Sequence, residues 1–386
     1  MVLAGTKRER LLAWIRNGDP HDVPVVTLSP FAFTASYLGK EERDVTMDET
    51  VKIAEKTGTH GMVMIGAPTP FDIIPFLPNI KMIEQNVILE DGTPRRTREI
   101  KTPEGGLREI FEVPKVIGAH RREFYVKGEK ELPAFACLIR AATGEIQKNA
   151  AARRAIAEKL KTEARKIGGA FPAYLRVNCP TFELMCAYYM DQATALYAIY
   201  DHQDLMEELT ECYWRMTQVW LELGVEAGVD IYQSGINGLE WLSPALYERY
   251  MIAQTRRLSE FAVAHDKLLL LHTCGKLKKL AEMNVYPRMK LQMFESLSAP
   301  PTGDITDLAE TRRLIGPEIV TRGGINVEYF YDDTPEQFAK RAEDVLDSVR
   351  GYKHMIGDTN DSIPAYPWKN VQALIDVVRR RKCLFE

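Results

Sequence analysis

The chain has 386 residues, 45% of them hydrophobic and 27% charged, with a formal net charge of −4 and an isoelectric point near 6.1. That length admits two average domains or one large α/β barrel, and a core big enough to need no disulfide or metal for folding. It shows no clustered basic face of the kind nucleic-acid binding needs, and no stretch approaches the ~20 apolar residues of a membrane span.

Residues 1–18, MVLAGTKRERLLAWIRNG, read as a charged amphipathic helix without the long apolar stretch of a secretory signal. Six cysteines (Cys137, Cys179, Cys186, Cys212, Cys274, Cys383) are scattered without framework spacing, which predicts reduced thiols and a cytoplasmic location. Strand-like runs then recur along the chain: VPVVTLSP (23–30), HGMVMIGAP (60–68), AYLRVNCP (173–180), VDIYQSG (229–235), KLLLLHTCG (267–275), MKLQMFES (289–296), EIVTRGGIN (318–326) and GYKHMIGD (351–358).

Between these runs lie helical patterns. Met47 to Thr57 and the long amphipathic stretch Asp204 to Glu226 carry apolar residues at helical spacing. Ser243-Pro244 marks a helix start, and so does Thr334 followed by Pro335, with Gln337 as capping-box partner. Eight strands alternating with helices predict a (β/α)8 barrel spanning 1–386 as one domain. One region, roughly 86–135, breaks the alternation. Its turn signals Asp91-Gly92 and Gly105-Gly106 predict a β-hairpin insertion after the second strand, folded over one mouth of the barrel.

Barrel chemistry sits where strands end and the following loops begin. The residues there are Asn178 after the third strand, Gln233 and Asn237 after the fourth, and His272 and Cys274 after the fifth. Glu295 follows the sixth, Gly323, Gly324 and Asn326 the seventh, and Asp358, Asn360 and Asp361 the eighth. His272, Cys274 and Glu295 come from adjacent strands and suit one zinc ion, which accepts imidazole, thiolate and carboxylate together. A packed histidine beside an inert thiol is the competing account. Phe31, Tyr188 and Tyr189 offer aromatic surface for an apolar substrate, and Gln233, Asn237, Asn326, Asn178 and Asn360 offer hydrogen bonds to it.

LLLLHTCGKLKKLAEM and FESLSAPPTGDITDLAETRRLIGPEIVTRGGIN resemble the uroporphyrinogen-decarboxylase superfamily, and most of all its corrinoid-dependent methyltransferase and O-demethylase branch. KRERLLAWIRNGDPHDVPV resembles the superfamily's opening helix and strand, KTPEGGLRE a hairpin of the demethylase branch, and TPEQFAKRAEDVL with YPWKNVQALIDVV its last helices. The resemblance implies the barrel and a zinc ion on the HxC pair. His-x-Cys with a Glu after the next strand also resembles cobalamin-independent methionine synthase, which supports the same role for His272, Cys274 and Glu295.

The thiol-methylating relatives carry a second cysteine after the last strand, where this chain reads MIGDTNDSIPAYP. Asp358 is the expected fourth ligand, or the holder of a bound water. One thiolate among oxygen ligands leaves a harder, more electrophilic ion, suited to polarising an ether oxygen so that its methyl leaves to cobalt. The expectation is therefore a zinc-dependent methyltransferase acting on an O-methyl donor, a methoxylated aromatic, with Glu295 and Asp358 in the catalytic set. Its corrinoid would ride on a separate corrinoid-binding protein, because this chain has no DxHxxG cobalamin segment. A homo-oligomer is compatible with this reading. The alternatives are a methyl-corrinoid:thiol methyltransferase, weakened by the missing cysteine, a decarboxylase-like protein, and a metal-free binding barrel. The loop SPFAFTAS lacks the arginine that a polycarboxylate substrate would need.

Overall fold

Thr334 starts the helix Pro335–Ser348 as its sequence predicts: the hydroxyl accepts from the Gln337 amide and the Gln337 side chain returns to the Thr334 amide. Reciprocal caps of this kind satisfy two otherwise orphaned donors, and Thr6 with Glu9 and Thr46 with Glu49 do the same for helices Lys7–Asn17 and Met47–Thr57. Ser243 likewise caps the helix that begins at Pro244. The computed structural model describes residues 5–27, 29–114, 120–177, 182, 185–237, 242–359 and 366–383. The chain divides into two compact units, Met1–Gly66 with Leu160–Arg176 and Val225–Glu386, and Ala67–Lys159 with Val177–Gly224.

In chain order the strands are β1 (Val26–Thr27), β2 (His60–Gly61), β3 (Val63–Gly66), β4 (Lys81–Ile88), β5 (Pro94–Thr102), β6 (Gly105–Glu112), β7 (His120–Glu123), β8 (Ala173–Arg176), β9 (Ile231–Asn237), β10 (Leu268–Cys274), β11 (Met293–Glu295), β12 (Val320–Ile325) and β13 (His354–Asp358). The first unit holds a parallel sheet in the order β13-β12-β11-β10-β9-β8-β3, and β1 pairs with β2, the leading piece of the β3 segment. Val25 bridges to Ile356, whose amide donates to Pro24 O at 3.0 Å, so β1 joins the last strand and the eight segments close. Gly357 permits that closure: a Cβ there would lie 2.4 Å from Val26 O. The result is the expected (β/α)8 barrel.

The barrel interior is packed rather than open. Val26, Met62, Ile231, Leu268, Leu270, Met293, Val320 and Met355 form one apolar cluster with Leu11, Trp14 and Ile15 of the first helix. That helix is tied to residues that precede strands: Arg8 N donates to Ala170 O at 2.9 Å, Arg8 pairs with Asp230 at 2.7 Å, and Lys353 Nζ donates to Ile15 O at 2.9 Å. It therefore plugs the N-terminal end of the barrel. Only the other end, where the strands finish, is left for chemistry.

In the second unit β4 to β7 form an antiparallel sheet in sequential order. Asp91 and Gly92 (φ 80°) lie in the β4–β5 connection, as the turn signal predicts. Helix Leu132–Lys148 buries Phe135 and Leu138. An aromatic cluster of Phe71, Tyr125, Phe135 and Tyr189 has ring centroids 4.8–6.0 Å apart. Among the described residues, no helix is long and apolar enough to cross a membrane.

Candidate active site at the strand ends

Parallel register sets the site. His272 of β10 is paired with Glu295 of β11, and Glu295 with Arg322 of β12. Register partners in a parallel ladder share a face, so three chemically active side chains stand at one level, one step above the apolar pairs Leu270–Met293 and Met293–Val320. Glu295 is fully buried. Its Oε1 accepts from Gln233 Nε2 at 2.9 Å and lies 3.0 Å from His272 Nδ1, while its Oε2 accepts from Arg322 Nη1 at 3.1 Å. Arg322 turns its other nitrogen, Nη2, to Asp358 Oδ1 at 2.7 Å, and the Tyr366 hydroxyl sits 3.5 Å from Asp358 Oδ2.

Burial alone would push the Glu295 carboxyl up, but the His272 hydrogen bond and the Arg322 charge outweigh it and hold the group below its usual value. Glu295 is thus a buried carboxylate kept ionised. Burial, and next Asp358, raise the Tyr366 phenol well above its ordinary value, so it stays protonated and donates to the carboxylate.

The backbone around these residues is unusual. Ser296, directly after Glu295, holds φ at 91°, a region costing a non-glycine residue roughly 1–3 kcal/mol. Its amide donates to Arg322 O at 3.2 Å and its hydroxyl lies 3.2 Å from His272 Nδ1. Thr273 donates to Glu295 O at 3.0 Å, which ties the ends of β10 and β11 together. Gly323 and Gly324 follow Arg322 with φ of 115° and 90°, conformations that require glycine.

Two ligands of one tetrahedral zinc, each bonded at about 2.0–2.2 Å, stand about 3.3–3.6 Å apart. His272 Nδ1 and Glu295 Oε1 are hydrogen-bonded at 3.0 Å, so the two groups would open slightly to share an ion. A ligating carboxylate is itself held by hydrogen bonds, as Gln233 and Arg322 hold Glu295. An imidazole and a carboxylate are two of the donor types that zinc accepts. Cys274 ends β10, and its side chain lies outside the described residues, among which no group of three or more His, Cys, Asp or Glu side chains could hold a metal.

The family model for uroporphyrinogen decarboxylase matches residues 128–381. The chain belongs to the uroporphyrinogen decarboxylase family. Among solved structures, it is similar to a methyltransferase from Methanosarcina mazei at 16% identity, with a TM-score of 0.57 and 99% of each chain covered. It is also similar to a B12-independent methionine synthase from Shewanella sp. W3-18-1 at 13% identity, with a TM-score of 0.40, 88% of this chain and 89% of that chain. At 16% identity, the likeness to the Methanosarcina mazei protein is one of fold. No curated protein sequence matches the chain.

Within this family barrel, the remaining predicted site residues fall in different places. Gln233 is directed at Glu295. Asn326 has both ends of its amide on Ala299, accepting from its N at 2.9 Å and donating to its O at 2.8 Å, so it braces the loop after β11. Phe31 is half-buried in the first turn of helix Pro30–Leu38. Tyr188 and Tyr189 belong to the second unit, where Arg121 lies 5.5 Å from the Tyr188 ring and Tyr189 is wholly buried among aromatic rings. Asn237 ends β9 with its side chain outside the described residues, and Asn178, Asn360 and Asp361 lie outside them altogether.

Sequence reasoning missed Arg322, Ser296 and Tyr366. Only Arg322 carried a usable signal, a charged residue in mid-strand between Val320 and Gly324.

His354, inside β13, is a structural histidine. Its Nδ1 lies 2.8 Å from Thr321 Oγ1 and its Nε2 3.2 Å from Gly323 O. A carbonyl only accepts, so Nε2 carries the proton and the Thr321 hydroxyl donates to Nδ1. Burial, aided by the charges of Arg312 and Arg322, depresses its pKa to about 3. A folded pKa below the unfolded value means that the unfolded chain binds the extra proton first. Stability from this group is complete above about pH 6.5 and is lost as pH falls toward 3, by ~1.4 kcal/mol per unit. Urea titrations between pH 7 and 4 check this: His354→Gln should flatten the slope, and an unchanged slope would refute the assignment.

Proposed function

We propose that this chain is a zinc-dependent methyltransferase that takes the methyl group from an O-methyl compound, most suitably a methoxylated aromatic, and passes it to the cobalt of a corrinoid on a separate protein. The observation that carries this reading is the buried, ionised Glu295 fixed beside His272 at the strand ends by Arg322 and Gln233. His272, Cys274 and Glu295 would hold the metal, three protein ligands being the number that catalytic zinc sites keep. When bound, zinc supplies Lewis-acid activation of the ether oxygen, so that the methyl departs to the corrinoid acceptor and the oxygen keeps the electron pair.

The protein's own groups prepare the site. His272 and Arg322 keep Glu295 ionised, Gln233 and Ser296 limit the movement of the carboxylate and the imidazole, and Asp358 offsets part of the Arg322 charge instead of serving as a ligand.

The test is metal content and turnover on protein purified without a metal-binding tag. About one zinc per chain, lost in Cys274→Ala, together with demethylation of methoxylated aromatics by added cob(I)alamin, is the expected result. Folded protein that takes up no zinc after reconstitution would overturn the proposal. Methyl transfer to a thiol without ether cleavage would move the chain to the thiol-methylating reaction.

A further inference from the structure

The outer edge of the second unit's sheet is built for pairing. β4 is the terminal strand in the order β4-β5-β6-β7, and it forms an unbroken eight-pair antiparallel ladder with β5, from Lys81–Lys101 to Ile88–Pro94. An edge strand presents a row of outward amides and carbonyls, which proteins usually blunt with proline, bulges or charges. β4 has no proline and no register shift, and it bears two charged residues, Lys81 and Glu84. Its apolar residues are exposed: Ile83 at 45%, Val87 at 50% and Ile88 at 69%.

The strand is also complementary to itself. Met82 is paired with the buried Ile100, so Met82, Glu84, Asn86 and Ile88 share the inner face while Ile83, Gln85 and Val87 share the outer one. An antiparallel copy related by a two-fold axis through Gln85 sets Ile83 opposite Val87, Met82 opposite Ile88 and Glu84 opposite Asn86. Apolar meets apolar on both faces and no like charges stand opposed. Arg98, 2.6 Å from Glu84, offsets that carboxylate. Moving the axis by one residue, to Glu84 or Asn86, sets Ile83 or Val87 against Gln85 and loses the match. One register is therefore specified, and in it the inner faces of both sheets stay on the same side.

We propose that β4 is a homodimerisation edge, at which two copies of this chain pair in the Gln85-centred register into one continuous eight-stranded sheet. The interface is isologous, each residue contact occurring twice. It is independent of the barrel chemistry and of the proposed reaction.

Sedimentation velocity across a concentration series tests it. The wild type should pass from monomer to dimer as concentration rises. Ile83→Lys and Val87→Glu, at half-exposed positions, should leave the thermal midpoint of the dilute monomer unchanged and each weaken association roughly tenfold or more, because the lost pair occurs twice. The double variant should recover the dimer, since each introduced lysine faces an introduced glutamate of the other copy. Gln85→Cys places a thiol on the two-fold axis and should give a disulfide-linked dimer on mild oxidation that wild type and Ile83→Cys do not give. A wild type that stays monomeric at all concentrations, including one that pairs only with another protein, would overturn self-pairing. So would a dimer that none of these substitutions weakens, or single variants that the double variant fails to rescue.

Discussion

Arg322→Met is expected to destabilise the protein by about 3–5 kcal/mol, the usual cost of removing one partner from a buried ion pair. Arg322 and Glu295 are fully buried and Asp358 nearly so, and the guanidinium bonds both carboxylates at 3.1 and 2.7 Å. Methionine fills similar volume but leaves two carboxylates in a low-dielectric interior. Arg322→Lys keeps the charge, yet a single ammonium cannot reproduce the two-pronged contact, so an intermediate loss is expected.

The pH dependence separates this account from simple loss of packing. In the wild type the Glu295 carboxyl sits below its ordinary value, so its contribution is present above about pH 4.5 and lost as pH falls. Without the guanidinium, one of the effects that hold the carboxyl down is lost and its value moves up, while the His272 and Gln233 hydrogen bonds remain. The contribution shrinks, and the variant loses less stability than the wild type on acidification. Urea denaturation of both proteins at pH 8 and pH 5 checks this: the gap should narrow at pH 5. A loss below ~1 kcal/mol, or a gap independent of pH, would remove Arg322 from its assigned role.

The barrel was legible because each strand is a short apolar run that stops at a turn former, and all eight runs became barrel segments. The strand-end rule also pointed to His272 and Glu295, which the structure brings together. What it could not supply was register. Arg322 reaches partners 27 and 36 residues away, and only the pairing of β11 with β12 puts it at the level of Glu295.

Polar residues at strand ends were also ambiguous in the sequence. Gln233 and Asn326 carry the same signal, yet one orients a carboxylate and the other clamps a loop. Tyr189 lies in a buried aromatic cluster, whose composition in sequence is the same as that of a ligand-lining one. The antiparallel sheet begins at Lys81, ahead of its turn signals, because KMIEQNVI follows no clean apolar–polar alternation.

On the proposed zinc-dependent reaction, Glu295→Gln should lower methyl transfer by about a thousandfold or more while the fold survives, since loss of Lewis-acid activation is worth several kcal/mol of barrier. The amide matches the carboxylate in shape, and Arg322 retains Asp358 as its counter-ion, so no buried charge is left alone. A neutral amide is a poor zinc ligand, so metal content should fall together with kcat. Asp358→Asn is the informative companion. Asp358 addresses Arg322 and Tyr366, so that variant should lose stability yet keep its zinc. Parallel metal analysis and urea denaturation of the two variants discriminate the roles. Loss of zinc from Asp358→Asn as complete as from Glu295→Gln would make Asp358 a ligand, and would require Arg322 to release it when the metal binds. Zinc retained by both variants would move the metal away from β11, and the reading of Glu295 as a ligand would fail with it.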